Sequence, residues 1–425
     1  MIAWLLISFF VLLFLGVPIA MSLGLSAMGG ILFLGGGSTV TIAQRMFEGM
    51  NSFALLAIPL YTFAGFTMSK GGISKRLMDF CYSIVGHIYG GLAHVNVLSS
   101  MIFAGISGSA VADTAGVSGM FMPEMIRKGY CKNFTVAVTA ISSTIGIIIP
   151  PSIPMVVIAG ICGISTGKLF LGGIIPGILC GLAQMIVSYF LAKKEGVPKE
   201  PGHFTIGPVL HGLWESWPAL LMPIIIVGTI TMGIVSPTEA GVIAVVYGLF
   251  AGGIIYRELK WEDIKFAFAE TVRTSGRIFI VIGAAKLYTV MLTTAGFDKW
   301  VAKTMLGFST NPTVILIVIL LIFFIVTMFM ESIATLTLFM PILYPIALGV
   351  GINPIVLSVL ITVVIGIGLV TPPVGMCIYV ACDLMDVTVG EVFPTLVPFI
   401  AATFVCIALM VAFPQLILLP TYLMA

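Results

Sequence analysis

The sequence predicts an all-α polytopic membrane protein built as an inverted repeat, with two re-entrant helical hairpins and broken helices. Hydrophobic residues make up 60% of the chain and charged residues only 8%, whereas soluble domains carry about 25% charged residues. Apolar stretches long enough to cross a bilayer recur along nearly the whole chain. Proline-marked breaks in these stretches occur twice, about 220 residues apart.

The repeated breaks indicate the class of protein. Proline removes a backbone donor and interrupts a helix. Matched interruptions in two hydrophobic halves are typical of secondary transporters, whose site lies at the interface between the repeats. The matched positions are Pro18 and Pro237, Pro123 and Pro341, Pro150-Pro151 and Pro372-Pro373, and Pro176 and Pro398.

The first repeat is predicted to cover residues 1–192. Its segment 91–125 is too long and too interrupted for one straight span, which favours a re-entrant hairpin broken near 105–109. Residues 133–164 form a helix that is broken at 146–152. The other predicted elements are spans 2–17, 18–37, 52–69 and 168–192, an interfacial segment 40–50 and an amphipathic arm 70–90.

A polar linker, 193–213, leads to the second repeat, 214–425, which follows the same order. Its hairpin is predicted at 312–348, and its broken helix at 353–385 with the break at 366–375. The remaining predicted elements are spans 214–234, 237–256, 276–295 and 391–421 and an amphipathic arm 257–275.

The distribution of basic residues supports the hairpins and orients the chain. With the N-terminus outside and the first hairpin re-entrant, four basic loops with twelve of the nineteen Lys and Arg residues all face the cytoplasm, the linker among them. This is the positive-inside bias, and a full crossing at 91–125 would split it between the two faces. The same count makes the halves antiparallel. The four loops are 70–76, 127–132, 193–199 and 257–265.

The chemistry is expected at the breaks, because unwound backbone within a membrane is tolerated only where protein or a water-filled cavity surrounds it. The first tip, 105–114, faces the break 146–154, and the second tip, 328–335, faces the break 366–375. Unwound carbonyls coordinate small cations, and the N-terminus of a half-helix attracts anions. The sequence therefore predicts two cation sites related by a pseudo-two-fold axis.

Each of these features also has a structural interpretation. The small residues of the first tip are suited to close helix packing, and the Pro-Pro pairs to kinks without ligands. Asp113 and Glu331, which align under a shift of 218 residues, are either functional intramembrane carboxylates or caps of a half-helix. Glu239 is interpreted as a first-turn carboxylate. Lys286, in mid-span, either pairs, snorkels or faces an aqueous cavity, where it would attract an anionic substrate.

Five motifs occur in one order along the chain, and together they resemble the large membrane subunit of tripartite ATP-independent periplasmic (TRAP) transporters, the DctM-like family. The resemblance covers essentially the whole chain. One departure is Thr114 after the tip aspartate, where many relatives have alanine. The motifs are Gly105–Thr114, Ile149–Pro154, Gly167–Gly177, Ser236–Ala240 and Thr371–Gly375.

The resemblance implies a sodium-coupled importer of a small organic acid, such as sialic acid or a C4-dicarboxylate, that works by an elevator mechanism. The hairpins and broken helices would form the transport domain and the remaining helices the scaffold. It also implies a small four-helix membrane subunit, expected as a separate polypeptide, and a periplasmic substrate-binding protein. The chain would lie in the bacterial inner membrane with its N-terminus in the periplasm. Sodium ions would be the coupling ions, with no other cofactor.

The resemblance further implies site residues. A first sodium ion would lie near Ser107, Gly108, Ser109, Gly146, Ile149 and Pro151. A second would lie near Glu331, Ser332, Gly366, Val370 and Thr371. The substrate candidates are Ser107, Ser109, Asp113, Ser152 and Thr371.

Two other classes of function stay open at this point. One is a passive channel or a carrier coupled to protons alone. Proton coupling would need a titratable relay, for which Asp113, Glu239 and Glu331 are the candidates. A membrane-embedded enzyme is disfavoured, because the sequence contains no HExxH motif and no clustered His and Asp residues.

Overall fold

The computed structural model describes residues 1–35, 38–197 and 204–423, and every regular element in that part of the chain is helical. Seven of the described helices are long and apolar enough to cross a membrane. The predicted all-α polytopic architecture is confirmed. The end of the second predicted span, 36–37, most of the polar part of the linker, 198–203, and the last two residues lie outside the described residues.

The first half follows the predicted order, with the predicted span at 52–69 beginning as a short 3-10 turn, Phe53–Leu56. Its helices are α1 (Ile2–Phe14), α2 (Ile19–Leu34), α3 (Thr39–Met50), α4 (Ala57–Lys70), α5 (Ile73–Val85), α6 (Gly91–Ser107), α7 (Ala110–Arg127), α8 (Lys132–Ser143), α9 (Ile153–Cys162) and α10 (Thr166–Lys194).

The linker between the halves is shorter than the predicted 193–213, because α10 ends at Lys194 and the next helix begins at Ile206. The helices of the second half are α11 (Ile206–Thr231), α12 (Pro237–Phe250), α13 (Trp261–Thr294), α14 (Phe297–Phe308), α15 (Pro312–Thr327), α16 (Ser332–Gly349), α17 (Pro354–Gly368), α18 (Met376–Met385), α19 (Val389–Ala412) and α20 (Gln415–Leu418).

Both hairpins form as predicted. The first consists of α6 and α7, joined by Gly108 and Ser109, and the second consists of α15 and α16, joined by residues 328–331. The second arms are both 18 residues long, and their bounds, 110–127 and 332–349, differ by 222. These bounds correct one sequence alignment: Glu331 is equivalent to Ser109, since both are N-caps, and Asp113 is equivalent to Thr335.

The start of each arm follows from capping chemistry. Asn311 and Asn353 accept hydrogen bonds from the first-turn amides of α15 and α17, and each is followed by a proline at the first helical position. An Asn cap followed by proline suits a helix start, because proline lacks the amide that would otherwise go unpaired. Ser236 and Glu239 form a capping box before α12, so the structural interpretation of Glu239 is confirmed.

The repeats differ where the sequence predicted equal arms. In the first half, Asn51 and Ser52 separate α3 from α4. In the second half, the predicted arm 257–275 and span 276–295 are one continuous helix, α13, of 34 residues. No proline interrupts 261–294, so the helix continues to Thr294. The equivalent of the arm helix α5 is α14, which the sequence reading missed.

The two halves interlock around the hairpins. Helix α7 packs on α8 and on α18 of the other half, and α16 packs on α9 of the first half. Helices α10 and α19 pack on each other, and they also contact α8, α6 and α17. Helix α13 packs on α16 as well, so these contacts do not separate a transport domain from a scaffold. The division into these two domains stays a prediction.

A buried polar network joins the first hairpin to α8. The Asn96 amide donates to Thr139 Oγ1 at 2.7 Å, the Ser142 hydroxyl donates to Asn96 Oδ1 at 3.0 Å, and Ser100 donates to Ser142 at 3.1 Å. All four side chains are buried among apolar residues. A satisfied buried network fixes one arrangement of the helices that carry it.

Replacing Asn96 with alanine is expected to destabilise the protein by about 1–3 kcal/mol, because it removes two buried hydrogen bonds and leaves the Thr139 and Ser142 hydroxyls with bonds inside α8 and to Ser100 only. Thermal unfolding of the purified protein in detergent measures the loss. Asn133→Ala, at the start of α8 and outside the network, is the matched control and should unfold near the wild-type temperature. Equal stabilities for the two variants would contradict the role given to the network.

Candidate functional site

The first hairpin tip is held against the facing break by backbone contacts. Gly108 adopts a left-handed conformation with φ of 65° between the two arms. Its carbonyl accepts a hydrogen bond from the Ile153 amide at 3.2 Å. A Cβ atom on Gly108 would lie 2.6 Å from the Pro151 carbonyl oxygen, so only glycine fits here. The peptide bond between Pro150 and Pro151 in this break is cis.

Asp113 lies directly beneath this tip. The carboxyl group is fully buried, and Oδ1 accepts a hydrogen bond from the Ser107 hydroxyl. Within the described part of the chain, Oδ2 has no hydrogen-bond partner, and it lies against Gly146 of the break. A buried carboxylate oxygen without a partner is costly. Such an oxygen suits a hard cation, whose preferred ligands are oxygens.

The second tip uses its carboxylate differently. Glu331 caps α16, since its Oε2 accepts from the Ile333 amide at 2.9 Å and the Ala334 amide at 3.2 Å. Ser332 donates to Oε1 at 2.8 Å. The capping interpretation of Glu331 is therefore confirmed. Asp113, four residues after the Ser109 cap of α7, is not a cap.

The second tip also contacts its facing break through the backbone. The Val374 amide donates to the Met328 carbonyl at 3.0 Å, as Ile153 does to Gly108 in the first half. The peptide bond between Pro372 and Pro373 is again cis. Thus the same kind of hydrogen bond joins tip to break in both repeats.

The remaining predicted sodium-site residues lie at the two breaks. A Cβ atom on Gly366 would lie 3.3 Å from Thr144 Cβ, so the second break meets the first at this point. Ile149 packs against Gly177 of α10, and Val370 is fully buried. Thr371 donates to the Ile367 carbonyl at 2.7 Å. Their role as ion ligands stays a prediction.

One cavity of about 640 Å³ brings both tips together, a volume in the usual range for small-molecule sites. Its lining includes Ser107 and Ser109 of the first tip and Glu331 and Ser332 of the second. The other substrate candidates do not line it: Asp113 is buried beneath Ser107, and Ser152 and Thr371 donate to backbone carbonyls in the breaks. Their contact with substrate stays a prediction.

Another wall of the cavity comes from α4 and α13, which the sequence-based prediction did not include in the site. Helix α4 contributes Thr62, Gly65, Phe66, Ser69 and Lys70, and α13 contributes Phe266, Glu270, Thr274, Arg277, Ile278 and Val281. Both sets recur every three or four residues, which places each on one helix face. This periodicity is present in the sequence and could have identified both faces. The α13 set was not recognised because the prediction divided it between an arm, 257–275, and a span, 276–295.

Lys286 lies outside the cavity lining. Its side chain packs against Gly49 of α3. The pKa of Glu48 on that helix lies below its usual range, first because Arg45 hydrogen-bonds to the carboxylate and then because Lys286 is nearby. Of the roles considered for Lys286, this position favours an interaction with α3 and not with a substrate.

Replacing Gly108 with alanine is expected to cost at least about 1–2 kcal/mol of stability, because a Cβ atom is strained in the left-handed conformation and would clash with the Pro151 carbonyl. Unfolding in detergent measures this cost. Gly119→Ala in the same hairpin is the control, since a Cβ there meets nothing within 4 Å, and it should stabilise α7 slightly. An unchanged stability of Gly108→Ala would contradict the contact between tip and break.

Comparison with known proteins identifies the family. Residues 6–416 match the family described as tripartite ATP-independent periplasmic transporter, DctM component. The chain is 35% identical to the sialic acid TRAP transporter large permease protein SiaM of Vibrio cholerae, over 96% of this chain and 95% of SiaM. It is also 35% identical to the C4-dicarboxylate TRAP transporter large permease protein DctM of Pseudomonas aeruginosa, over 95% and 94% of the two chains.

A third relative is longer than this chain. The isethionate TRAP transporter permease protein DctMQ of Oleidesulfovibrio alaskensis is 37% identical over 92% of this chain, which spans 62% of that relative's length.

Two solved structures resemble the fold. MtrF of Neisseria gonorrhoeae, described with a class of antimetabolite efflux pumps, gives a TM-score of 0.59 at 14% identity over 88% of this chain and 84% of MtrF. The YdaH transporter of Alcanivorax borkumensis gives 0.53 at 13% identity over 87% and 86%. At these identities the likeness concerns the fold alone, and it confirms the predicted transporter fold. The chain belongs to the DctM component family of TRAP transporters, and it is a multi-pass membrane protein.

Proposed function

We propose that this DctM-family chain is the large membrane subunit of a sodium-coupled importer of a small organic acid. The observation that carries the proposal is the cavity in which both hairpin tips meet, each beside a carboxylate. The names of two relatives specify sialic acid and C4-dicarboxylates, both carboxylates. A carboxylate such as these is therefore the proposed cargo.

The proposed sodium sites lie at the two contacts between tip and break. The partnerless Oδ2 of Asp113, between Ser107 and Gly146, supports a cation at the first contact and adds Asp113 to its candidate ligands. Glu331 supports one at the second contact, because its carboxylate is held in place by two amides and the Ser332 hydroxyl. A cation at either place would neutralise charge that is otherwise buried without a counter-ion.

The acid is proposed to bind between the tips. Helices α7 and α16 begin there, and the positive end of a helix dipole favours an anion. Ser107 and Ser109 line the same space, and the Ser109 hydroxyl supplies a donor, whereas the Ser107 proton is shared with Asp113. Sodium binding would order the tips and so raise the affinity for the acid, and by linkage the acid would raise the affinity for sodium equally.

The proposed movement is of the elevator type. The cavity is lined by the hairpin tips and by a wall of α4 and α13. A ligand bound to the tips would pass from one face of the membrane to the other if the hairpins slid along that wall. The proposed setting is the bacterial inner membrane with the N-terminus in the periplasm, where a small four-helix membrane subunit and a periplasmic substrate-binding protein complete the system.

The test is uptake into proteoliposomes that contain this chain and its small partner. An inward sodium gradient is applied with labelled N-acetylneuraminate, succinate or isethionate, with and without the cognate binding protein. We expect uptake of one of these acids that requires both the gradient and the binding protein. Uptake that is indifferent to sodium would contradict the proposed coupling, and uptake without the binding protein would contradict the tripartite arrangement.

Glu331→Gln is expected to raise the sodium concentration for half-maximal uptake by about 10-fold or more, because the charge is lost while a capping oxygen is kept. Its unfolding temperature should stay near that of wild type. Glu239→Gln is the control, since that carboxylate caps α12 outside the cavity.

A carrier coupled to protons alone gives a different pattern. Its uptake would follow a pH gradient without sodium, and Asp113→Asn or Glu331→Gln would abolish it. If both variants keep wild-type sodium dependence and rate, neither carboxylate is a sodium ligand or a proton relay.

A further inference from the structure

One wall of the cavity carries a positive charge that the function proposed above does not use. On the cavity face of α13, the two titratable residues are Glu270 and Arg277. Arg277 is exposed to the cavity. It lies on the wall formed by α4 and α13.

The carboxylates that line the cavity are engaged elsewhere. Glu270 pairs with Arg273 at 2.7 Å, and Glu331 accepts the amides of its own helix. Across the described residues, Arg277 forms no ion pair and no side-chain hydrogen bond. A guanidinium is always charged and carries five donors in a planar fork. In a confined site such a group favours an anionic partner.

The position of Arg277 brings it close to the second tip. Val281, four residues further along α13, also lines the cavity. The next turn of α13, with Ala284 and Ala285, packs in one hydrophobic cluster with Ala334 of the second tip's helix, α16. At a rise of 1.5 Å per residue, Arg277 stands about 6 Å before Val281 along the helix axis.

The second cation of the cavity lies farther away. Lys70 sits over the ring of Phe266, with Nζ 4.8 Å from the ring centroid. Phe266 precedes Arg277 by eleven residues, which is about 16 Å of helix. The two cations therefore do not form one site. Lys70 lies at one end of the cavity, whereas Arg277 lies near the hairpin tips.

We propose that Arg277 binds the oxyanion group of the transported acid, a carboxylate or sulfonate, from the cavity wall formed by α4 and α13. The contact is a bidentate pair in which two guanidinium N–H groups donate to two oxygens of the acid. This inference rests on the proposed function, and it names the residue that recognises the charge of the cargo. Lys70, at the end of the cavity, attracts the anion without fixing it.

The contact depends on the conformational state. Arg277 belongs to α13, whereas the other proposed contacts belong to the hairpins. The pair forms only while the tips stand at the level of Arg277, so the guanidinium raises the affinity for the acid in the state described here. A ligand contact made in one state only shifts the equilibrium toward that state.

The test uses the complete transporter in the proteoliposome assay, with the acid that the wild type takes up from N-acetylneuraminate, succinate and isethionate. Arg277→Gln is expected to raise KM about 10- to 100-fold. Arg277→Lys keeps the charge but loses the fork and should raise KM less. Lys265→Gln, twelve residues earlier on α13 and outside the cavity lining, is the matched control and should stay within about twofold of wild type.

The outcomes separate this inference from the proposed function. An unchanged KM for Arg277→Gln, or a fall in kcat alone, overturns the inference and leaves the importer intact. A wild type that moves none of the three acids under a sodium gradient overturns the function instead. If Arg277→Gln does not purify as a folded protein, Arg277→Lys is measured in its place. A KM of Arg277→Lys equal to that of wild type then overturns the inference.

A lipid headgroup is the other source of an oxyanion at this place. The effect of Arg277→Gln on KM should be the same in vesicles of neutral phosphatidylcholine as in vesicles that contain anionic lipid. An effect confined to the anionic vesicles would assign the guanidinium to a lipid phosphate and overturn the inference.

Discussion

The structure depends on one constraint: backbone groups freed by a broken helix within a membrane must find partners inside the protein. Here the breaks satisfy one another. The amide of Ile153 donates to Gly108 at the first tip, and the amide of Val374 donates to Met328 at the second. The two hydrogen bonds are of the same kind, although their residues do not align under the shift of 222, and each fastens a re-entrant tip to the break that carries a Pro-Pro pair. The interlocked packing of α7 on α18 and of α16 on α9 encloses both contacts.

Within this symmetric frame the two tips differ chemically. At the N-cap, Ser109 stands where Glu331 stands in the other repeat, so the carboxylate of the first tip comes from Asp113, one turn into α7. Asp113 is completely buried with one oxygen unpaired, whereas Glu331 is fixed by amides of its own helix. Equivalent places in the backbone therefore present unlike oxygen sets, and the two proposed ion sites would differ in ligands although the repeats share one fold.

Much of this architecture could be predicted from the sequence. Prolines and glycines mark the breaks at Pro150-Pro151 and Pro372-Pro373, and both hairpins lie close to the predicted bounds. The alignment of Asp113 with Glu331 was wrong because loop lengths differ between the tips by two residues, which hydropathy does not reveal. Arg277 was missed because it lies where the predicted arm joined the predicted span. Lys286 was a candidate for attracting the substrate because it lies in the middle of a span. Its depth in the span does not show which face of the helix it occupies, and that face packs against α3.

The placement of charge around the cavity has a physical reason. The tips are where cations are proposed to bind, and a fixed positive side chain on the tips themselves would repel those cations strongly at low dielectric. Helix N-termini avoid this conflict, because their partial charge attracts an anion without adding a full positive charge. A full countercharge for an acid is then better carried by α13 than by the hairpins. Arg277 has that position, and the continuity of α13 through Thr294 holds it at a fixed height relative to the residues that pack behind the second tip.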